Sequence, residues 1–437
     1  MGTGVPDPRG LRAVGVQLAV TLAGDVGAKA GVLATTVIAA RVLRPVQFGQ
    51  LVGLMAVIVL ASWAWDSGVS FLLTRELAGK HGSLRAPLAA VGRLRLLMLP
   101  VWPIAFGGGV AVLAWRHAIP LTVILLCAGA SLLAGLNVIP VSVLRARLSF
   151  RTAATSQAAG RWITAGVATA SGVPSRGSET AFALVALALL VGEAAILLIA
   201  SALVLLRKRP LARADAPTAD AAITFRASLP FATNVLLATA YNRFDVVIVA
   251  ALVSSHDLSA YAAASRIQDA LYLIPASLFV VGLPVIAQAW KRLNRDAVTD
   301  RVIRQLSGVG VALAVPAAAL VFVFATQIVR LVLGGGYGAA VTPTRVLIWF
   351  LPFGALTAPL LAALAASGRA ADTTRVYAIA FGVSLALQLA LDWRWGATGA
   401  ATASLARDPA ALAVAALLAR RAGFLQARAR PETTTPI

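Results

Sequence analysis

The sequence is poor in charge: only 13% of its 437 residues are Asp, Glu, Lys or Arg, against about a quarter in an average soluble chain. Instead, 59% of the residues are hydrophobic, and the mean hydropathy is +0.85. The apolar residues come in blocks of roughly 20 to 28, the length at which a helix crosses about 30 Å of hydrocarbon. This composition excludes a soluble enzyme and predicts an integral membrane protein with many helical spans.

Cysteine and histidine are also scarce. The single cysteine, Cys127, lies inside an apolar run, which excludes an internal disulfide and indicates a packing role. His81, His117 and His256 stand far apart, with no Cys or carboxylate around them at metal-ligand spacing. Two glycine clusters lack the Lys-Ser/Thr ending of a phosphate-binding loop. The sequence therefore predicts no metal, no cofactor and no direct use of ATP.

About twelve apolar segments can be distinguished, six on each side of a polar stretch. They cover residues 14–40, 48–73, 87–115, 119–143, 154–173, 181–206, 229–253, 258–290, 302–328, 346–366, 376–391 and 398–418. We expect an all-α polytopic protein with a six-helix N-terminal lobe (1–206), a cytoplasmic linker (207–222), a six-helix C-terminal lobe (223–422) and a cytoplasmic tail (423–437). Because six is even, both lobes insert with the same orientation, which favours a parallel repeat around a central cavity.

The net charge of +21 is distributed unevenly over the loops. Under this division most Lys and Arg residues lie in loops on one side of the membrane, which the positive-inside rule makes the cytoplasmic side. Both termini are then cytoplasmic, and the basic balance is explained by topology and by contact with anionic lipid. Nucleic acid binding is not needed to account for it.

Charges within the apolar segments are candidate functional residues, since one at the bilayer centre costs about 2.5–3.5 kcal/mol. Asp25 and Lys29 share a face of the first segment. They form an internal salt bridge, or Lys29 faces the cavity and binds substrate phosphate in competition with Asp25. In the seventh segment Asn242, Arg243 and Asp245 form the sharpest polar cluster. Arg243 either binds a ligand or gates, or forms a structural pair with Asp245 or another helix, and Asp245 could instead titrate for ion coupling.

Four further charges in the apolar segments each allow a structural or a functional role. Arg266 and Asp269, three residues apart, form a local pair or line the cavity. Glu193 is either a structural partner for Arg161 or a coupling site, and Asp66 fits an interfacial cap or a contact between lobes better than a proton carrier. The candidate substrate-binding residues are therefore Arg243, Lys29, Arg266 and Asn242, and the candidates for ion coupling or gating are Asp25, Asp245, Asp269, Glu193 and Asp66.

Short motifs in a particular order carry a resemblance to a known family. They include RVLRPVQFG at residues 41–49, DSGV at 66–69, YAAASRI at 261–267 and WGATGAA at 395–401. Over nearly its whole length the chain resembles the Wzx-type oligosaccharide flippases of polysaccharide biosynthesis. These belong to the multidrug/oligosaccharidyl-lipid/polysaccharide (MOP) exporter superfamily.

The resemblance implies two six-helix lobes around a central cavity and alternating access. It implies movement of an isoprenoid (undecaprenyl) diphosphate-linked oligosaccharide from the cytoplasmic to the outer leaflet of the plasma (inner) membrane. Such a step serves surface polysaccharides such as the O-antigen of lipopolysaccharide or a capsule. The implied partners are the lipid-linked substrate, membrane lipids and the polysaccharide assembly machinery, with H⁺ or Na⁺ as the coupling ion.

Three other functions fit the sequence less well than oligosaccharide transport. An ion-coupled drug antiporter of the same superfamily is expected to bind its cationic substrate through acidic residues, whereas cations outnumber acids in several central segments. A lipid II flippase is expected to have two further helices. A membrane glycosyltransferase or polymerase needs catalytic groups in a sizeable external loop, and the external loops here are short. The sequence therefore predicts a transporter that is not an enzyme.

Overall fold

A computed structural model describes residues 8–68, 70, 85–146, 150–206, 221–292 and 297–425. All regular secondary structure in these ranges is helical. The α-helices are α1 (Pro8–Val42), α2 (Pro45–Asp66), α3 (Arg85–Leu97), α4 (Val101–Arg116), α5 (Leu121–Ala146), α6 (Phe150–Gly172), α7 (Glu179–Leu206), α8 (Ala221–Leu252), α9 (Ser255–Leu271), α10 (Leu273–Arg292), α11 (Ala297–Val323), α12 (Ala325–Val332), α13 (Val341–Leu347), α14 (Phe350–Ala366) and α15 (Ala370–Arg421), and a 3₁₀ segment covers Gly335–Ala340.

The described part of every predicted apolar segment lies on or across these helices. Within the described ranges, seven helices are long and apolar enough to cross a membrane, or up to nine if each of two bent pairs is one span. The all-helical polytopic fold class is therefore confirmed, while the count of twelve spans stays a prediction. The predicted linker and tail lie mostly outside the described residues, so the proposed lobe boundaries also stay predictions.

The predicted third segment consists of two helices. α3 and α4 meet at a 46° bend, where Leu99 N–H bonds to Leu96 O and Val101 N–H to Met98 O in tight three-residue turns. Pro100 stands at the start of α4. Because proline has no amide proton and its ring crowds the preceding turn, it interrupts the helix at this point.

The last two predicted segments form a helical hairpin within α15. Gly396 has a left-handed φ of 54°, which breaks the helix. Gln388 Nε2 donates to Ser404 Oγ at 3.2 Å, although a straight helix would place residues so far apart about 24 Å from each other. A Cβ on Gly399 would lie 2.4 Å from the carbonyl oxygen of Leu391. The chain therefore reverses at Gly396, as expected for two separate spans.

The chain divides into two compact units. Unit 1 comprises Met1–Arg266 and Val329–Ala340, and unit 2 comprises Ile267–Ile328 and Val341–Ile437. In unit 1, α6 packs against α1 and α7, and α2 packs against α4, α5 and α8. In unit 2, α14 packs against α10, α11 and α15. α14 is apolar around its whole circumference, which suits this central position.

Small residues allow α6 and α7 to approach closely. A Cβ on Gly192 would lie 1.7 Å from Thr164 Oγ1, and one on Gly160 would lie 2.2 Å from Ile196 Cγ1. Membrane helices use such small residues because their backbones gain van der Waals contact where side chains are absent. The close contact brings together the residues that follow these two glycines, Arg161 and Glu193.

Candidate functional site

Asp66 is fully buried in a polar network at the end of α2. Arg95 on α3 donates to Asp66 Oδ1, and Ser70 Oγ donates to Asp66 Oδ2 at 2.6 Å. Arg95 also donates to Gly135 O at 2.6 Å, and its guanidinium lies 5.1 Å from the Trp65 ring centroid. The structure therefore places Asp66 in an ion pair inside unit 1.

The sequence pattern did not identify Arg95 as a buried charge. The sequence places it near the N-terminal end of a long apolar segment, where it counts toward a cytoplasmic basic cluster. Neighbouring Arg93 is exposed and fits that description, whereas Arg95 is buried. The difference follows from helix geometry, because residues two apart point to different sides of a helix.

Glu193 is held by two helices at once. Its Oε1 accepts from Arg161 Nη1 at 2.6 Å, and its Oε2 accepts from Asn137 Nδ2 at 2.7 Å. Asn137 Nδ2 also lies 3.0 Å from the Glu193 carbonyl oxygen. Of the two roles considered for Glu193, this geometry favours the structural partner of Arg161, because both carboxylate oxygens already accept hydrogen bonds.

The cluster in the seventh predicted segment extends to the next helix. Asp245 is 5% exposed, and its Oδ2 accepts from Tyr261 Oη at 2.5 Å while its Oδ1 accepts from the Val246 amide at 2.9 Å. Asn242 Nδ2 donates to the Ala238 carbonyl at 2.7 Å, and Arg243 is half-buried. The structure thus joins Asp245 to Tyr261, a partner that sequence reasoning did not identify.

The remaining candidate residues are Lys29 and Asp25 on α1 and Arg266 and Asp269 on α9. Lys29 is exposed on α1, and the side chain of Asp25 lies outside the described residues, so their predicted pairing stays a prediction. Arg266 is buried on α9, and Asp269 is half-buried one turn further along the same helix.

A further ion cluster stands at the start of α15. Asp372 is buried, and its carboxylate binds Arg369 Nε at 2.5 Å and Arg375 Nη1 at 2.8 Å. Sequence reasoning counted both arginines as loop charges and did not consider Asp372. The spacing of three residues on either side of the acid is the signal that could have identified this cluster.

A cavity of about 890 Å³ lies in unit 1 among the connectors between helices. We call it the connector cavity. Its lining includes Arg44, Gln47, Gln50, Glu179, His256 and Tyr337. The 3₁₀ segment closes against the end of α1, since Tyr337 Oη donates to the Ala40 carbonyl at 3.0 Å. Just before this segment, the Leu331 carbonyl on α12 accepts a hydrogen bond from Arg41.

His117 joins two of these connectors. Its Nδ1 lies 2.7 Å from Ser255 Oγ, and its Nε2 lies 2.8 Å from the Ala250 carbonyl. Burial lowers the pKa of His117, and the charge of Arg116 lowers it further, against the opposing effect of the Ala250 hydrogen bond. Among the described residues, no three His, Cys, Asp or Glu side chains are grouped to hold a metal ion.

Comparison with family models gives two matches. Residues 19–290 match the model described as polysaccharide biosynthesis protein, and residues 230–389 match the model described as MatE. Among curated proteins no sequence matches significantly.

Solved structures with the same fold are transporters and flippases. A lipid II flippase, MurJ, in an inward closed conformation has a TM-score of 0.74 at 13% identity, with 92% of this chain and 87% of that chain covered. An inward-facing MATE multidrug resistance transporter of the MOP superfamily has a TM-score of 0.65 at 15% identity, with coverages of 93% and 98%. A MOP superfamily transporter from Pyrococcus furiosus, whose binding pocket has reversed polarity, has a TM-score of 0.57 at 14% identity, with coverages of 93% and 94%.

The apolar helices, together with the matches to the polysaccharide biosynthesis and MatE models, define a multi-pass membrane protein of the MOP flippase and transporter class. Within this class, the match over residues 19–290 shows that the chain belongs to the polysaccharide biosynthesis protein family.

Proposed function

We propose that the protein moves an isoprenoid-diphosphate-linked oligosaccharide, on an undecaprenyl carrier, from the cytoplasmic to the outer leaflet of the plasma (inner) membrane. The step supplies a surface polysaccharide such as an O-antigen of lipopolysaccharide or a capsule. The match of residues 19–290 to the polysaccharide biosynthesis model is the observation that carries the proposal. The substrate crosses unchanged, so the proposal includes no catalysed reaction.

The charges of α8 and α9 support a diphosphate-bearing substrate. A diphosphate entering an apolar environment needs compensating positive charge, and arginine offers a planar fork that matches phosphate oxygens. Arg243 is half-buried on α8, and Arg266 is buried on α9. In the proposal Arg243 binds the diphosphate, with Asn242, Arg266 and Lys29 contributing further donors.

The direction of transport and its energy source are part of the proposal. The positive-inside rule puts both termini and the basic loops in the cytoplasm, where the lipid-linked precursor is made. We propose that two lobes around a central cavity alternate in access, driven by substrate supply or by a gradient of H⁺ or Na⁺. The carboxylates of the buried Asp245 and the half-buried Asp269 are the candidates for carrying that ion, and assembly enzymes consume the glycan outside.

Lipid II is a second candidate substrate. The structural likeness to the lipid II flippase MurJ, with a TM-score of 0.74, favours it. Both candidates share a diphosphate on an isoprenoid carrier, so the same cationic side chains serve either. They differ in the head group, which is a cell-wall precursor in one case and a surface-polysaccharide unit in the other.

The test compares lipid extracts and surface polysaccharide from cells with and without the gene. We expect the deletion strain to accumulate an isoprenoid-diphosphate oligosaccharide and to lose one surface glycan, with wild type restoring both and Arg243→Ala restoring neither. Accumulation of lipid II would select the second candidate. An unchanged lipid-linked pool together with altered sensitivity to cationic drugs would reject both in favour of a drug antiporter.

A further inference from the structure

The connector cavity is lined by side chains to which the proposed transport step assigns no role. Its walls come from the α1–α2, α4–α5, α6–α7 and α8–α9 connections and from the 3₁₀ segment Gly335–Ala340. All of these belong to unit 1. The volume of about 890 Å³ is typical of a small-molecule pocket, for which the usual range is about 300–1,000 Å³.

Gln50 presents an unsatisfied acceptor to this cavity. Its side chain is 5% exposed, and its Nε2 donates to the Ala118 carbonyl at 3.1 Å. Within the described part of the chain, Gln50 Oε1 accepts no hydrogen bond. This oxygen is not among the buried polar atoms without a partner, so it is accessible from the cavity, where a ligand hydroxyl can donate to it.

The neighbouring wall offers further donors and acceptors. Gln47, also 5% exposed, donates from Nε2 to Glu179 Oε1 at 3.3 Å, which holds that carboxylate at the cavity. Arg44 supplies a guanidinium to the same lining. Pro45 and Pro120 add apolar surface beside these polar groups.

This mixture of groups favours an uncharged polyhydroxyl ligand. A sugar hydroxyl both donates and accepts a hydrogen bond, so it can bind Glu179 and Arg44 alike. The apolar faces of prolines suit the C–H faces of a sugar ring. An anion would meet the negative charge of Glu179, and a cation would meet Arg44.

We propose that the connector cavity is a binding site for uncharged sugar residues of the transported glycan. The proposal rests on the proposed function for the identity of the glycan. In the predicted topology the connectors that line the cavity all lie on the outer side of the membrane. The cavity then holds the sugar end after translocation, while the diphosphate is bound elsewhere.

The test measures glycan binding to purified full-length protein in nanodiscs by saturation-transfer NMR. The probe is an oligosaccharide repeat unit obtained by partial acid hydrolysis of the surface polysaccharide of the same strain. We expect wild type to bind it, and Gln50→Leu and Glu179→Ala to bind about tenfold more weakly, as expected for loss of one hydrogen bond to the sugar. Arg176→Ala is the matched control, because Arg176 is exposed in the α6–α7 connector outside the lining. It should bind like wild type.

Three results would overturn the sugar site: no binding by wild type, binding by both cavity variants as strong as that of wild type, or displacement of the glycan by inorganic pyrophosphate. If Gln50→Leu fails to fold, Glu179→Gln serves in its place, since Glu179 is exposed and the change keeps its shape. Transport is read separately from the lipid-linked pool in cells. Glycan binding without transport would reject the proposed function alone, and transport without binding would reject the sugar site alone.

Discussion

Arg95 and Asp66 form a buried ion pair across 29 residues of sequence, between α3 and the end of α2. Two charges removed from water repay their desolvation only when their geometry is good and their remaining polar atoms find partners. Here Ser70 and the Gly135 carbonyl provide such partners. The pair therefore ties the end of α2 to α3 and α5.

Removing one member of this pair should destabilise the protein strongly. Asp66→Asn leaves the Arg95 charge buried without its counter-ion, and we expect a loss of roughly 3–5 kcal/mol. Thermal unfolding of purified protein in nanodiscs measures it. Arg93→Gln alters an exposed arginine on α3, the helix that carries Arg95, and this variant should unfold like wild type. A transition unchanged by Asp66→Asn would show that the pair contributes nothing to stability.

We expect Glu193 to stabilise the folded protein and not to carry the coupling ion. Glu193→Gln removes the charge that faces Arg161 but keeps an amide able to bond with Asn137. We expect reduced thermal stability, while the transport that remains keeps its dependence on pH and sodium. Flux measured over pH and sodium series checks this. Loss of either dependence in the variant would instead assign ion coupling to Glu193.

The close packing of α6 on α7 should not tolerate a methyl group at Gly192. The added Cβ would meet Thr164 Oγ1 at 1.7 Å, so Thr164 must change its rotamer or the helices must separate. Overpacking typically costs about 1–3 kcal/mol. Gly166→Ala on α6 is the control, since its Cβ would meet nothing within 4 Å. We expect a lower unfolding temperature for Gly192→Ala alone, and equal temperatures for both variants would contradict the packing.

Stability should depend on pH through His117. Its pKa is lowered in the folded state by burial, so the unfolded chain binds the proton more tightly. Stability is then fully present above the ordinary histidine pKa of about 6.5 and falls as the pH drops below it, toward the lowered folded value. We expect His117→Gln to flatten this dependence in unfolding measured from pH 7.5 to 5. An identical pH profile in the variant would exclude His117 as its source.

Local patterns in the sequence predict the helices well, and long-range partners poorly. Hydropathy separates the two segments of α15, because Asp392 and Arg394 interrupt an otherwise apolar run just before Gly396, where the helix breaks. The bend between α3 and α4 was not predicted, because the apolar segment 87–115 continues past Pro100 without a polar interruption. Local spacing cannot pair Asp66 with Arg95, or Tyr337 with the Ala40 carbonyl 297 residues away. Such contacts depend on how the helices pack.

The central claim is that Arg243 serves the movement of an isoprenoid-diphosphate oligosaccharide across the membrane. The most direct measurement reconstitutes the purified protein into liposomes that carry this lipid with a labelled glycan, and follows its exposure to an impermeant glycosidase.

We expect wild type to bring the inner-leaflet substrate within reach of the enzyme, and Arg243→Ala to leave it protected although the variant inserts normally. Arg176→Ala, which changes an exposed connector arginine, should behave like wild type. If wild type leaves the inner-leaflet substrate as protected as protein-free liposomes do, or if Arg243→Ala exposes it at the wild-type rate, the claim is contradicted.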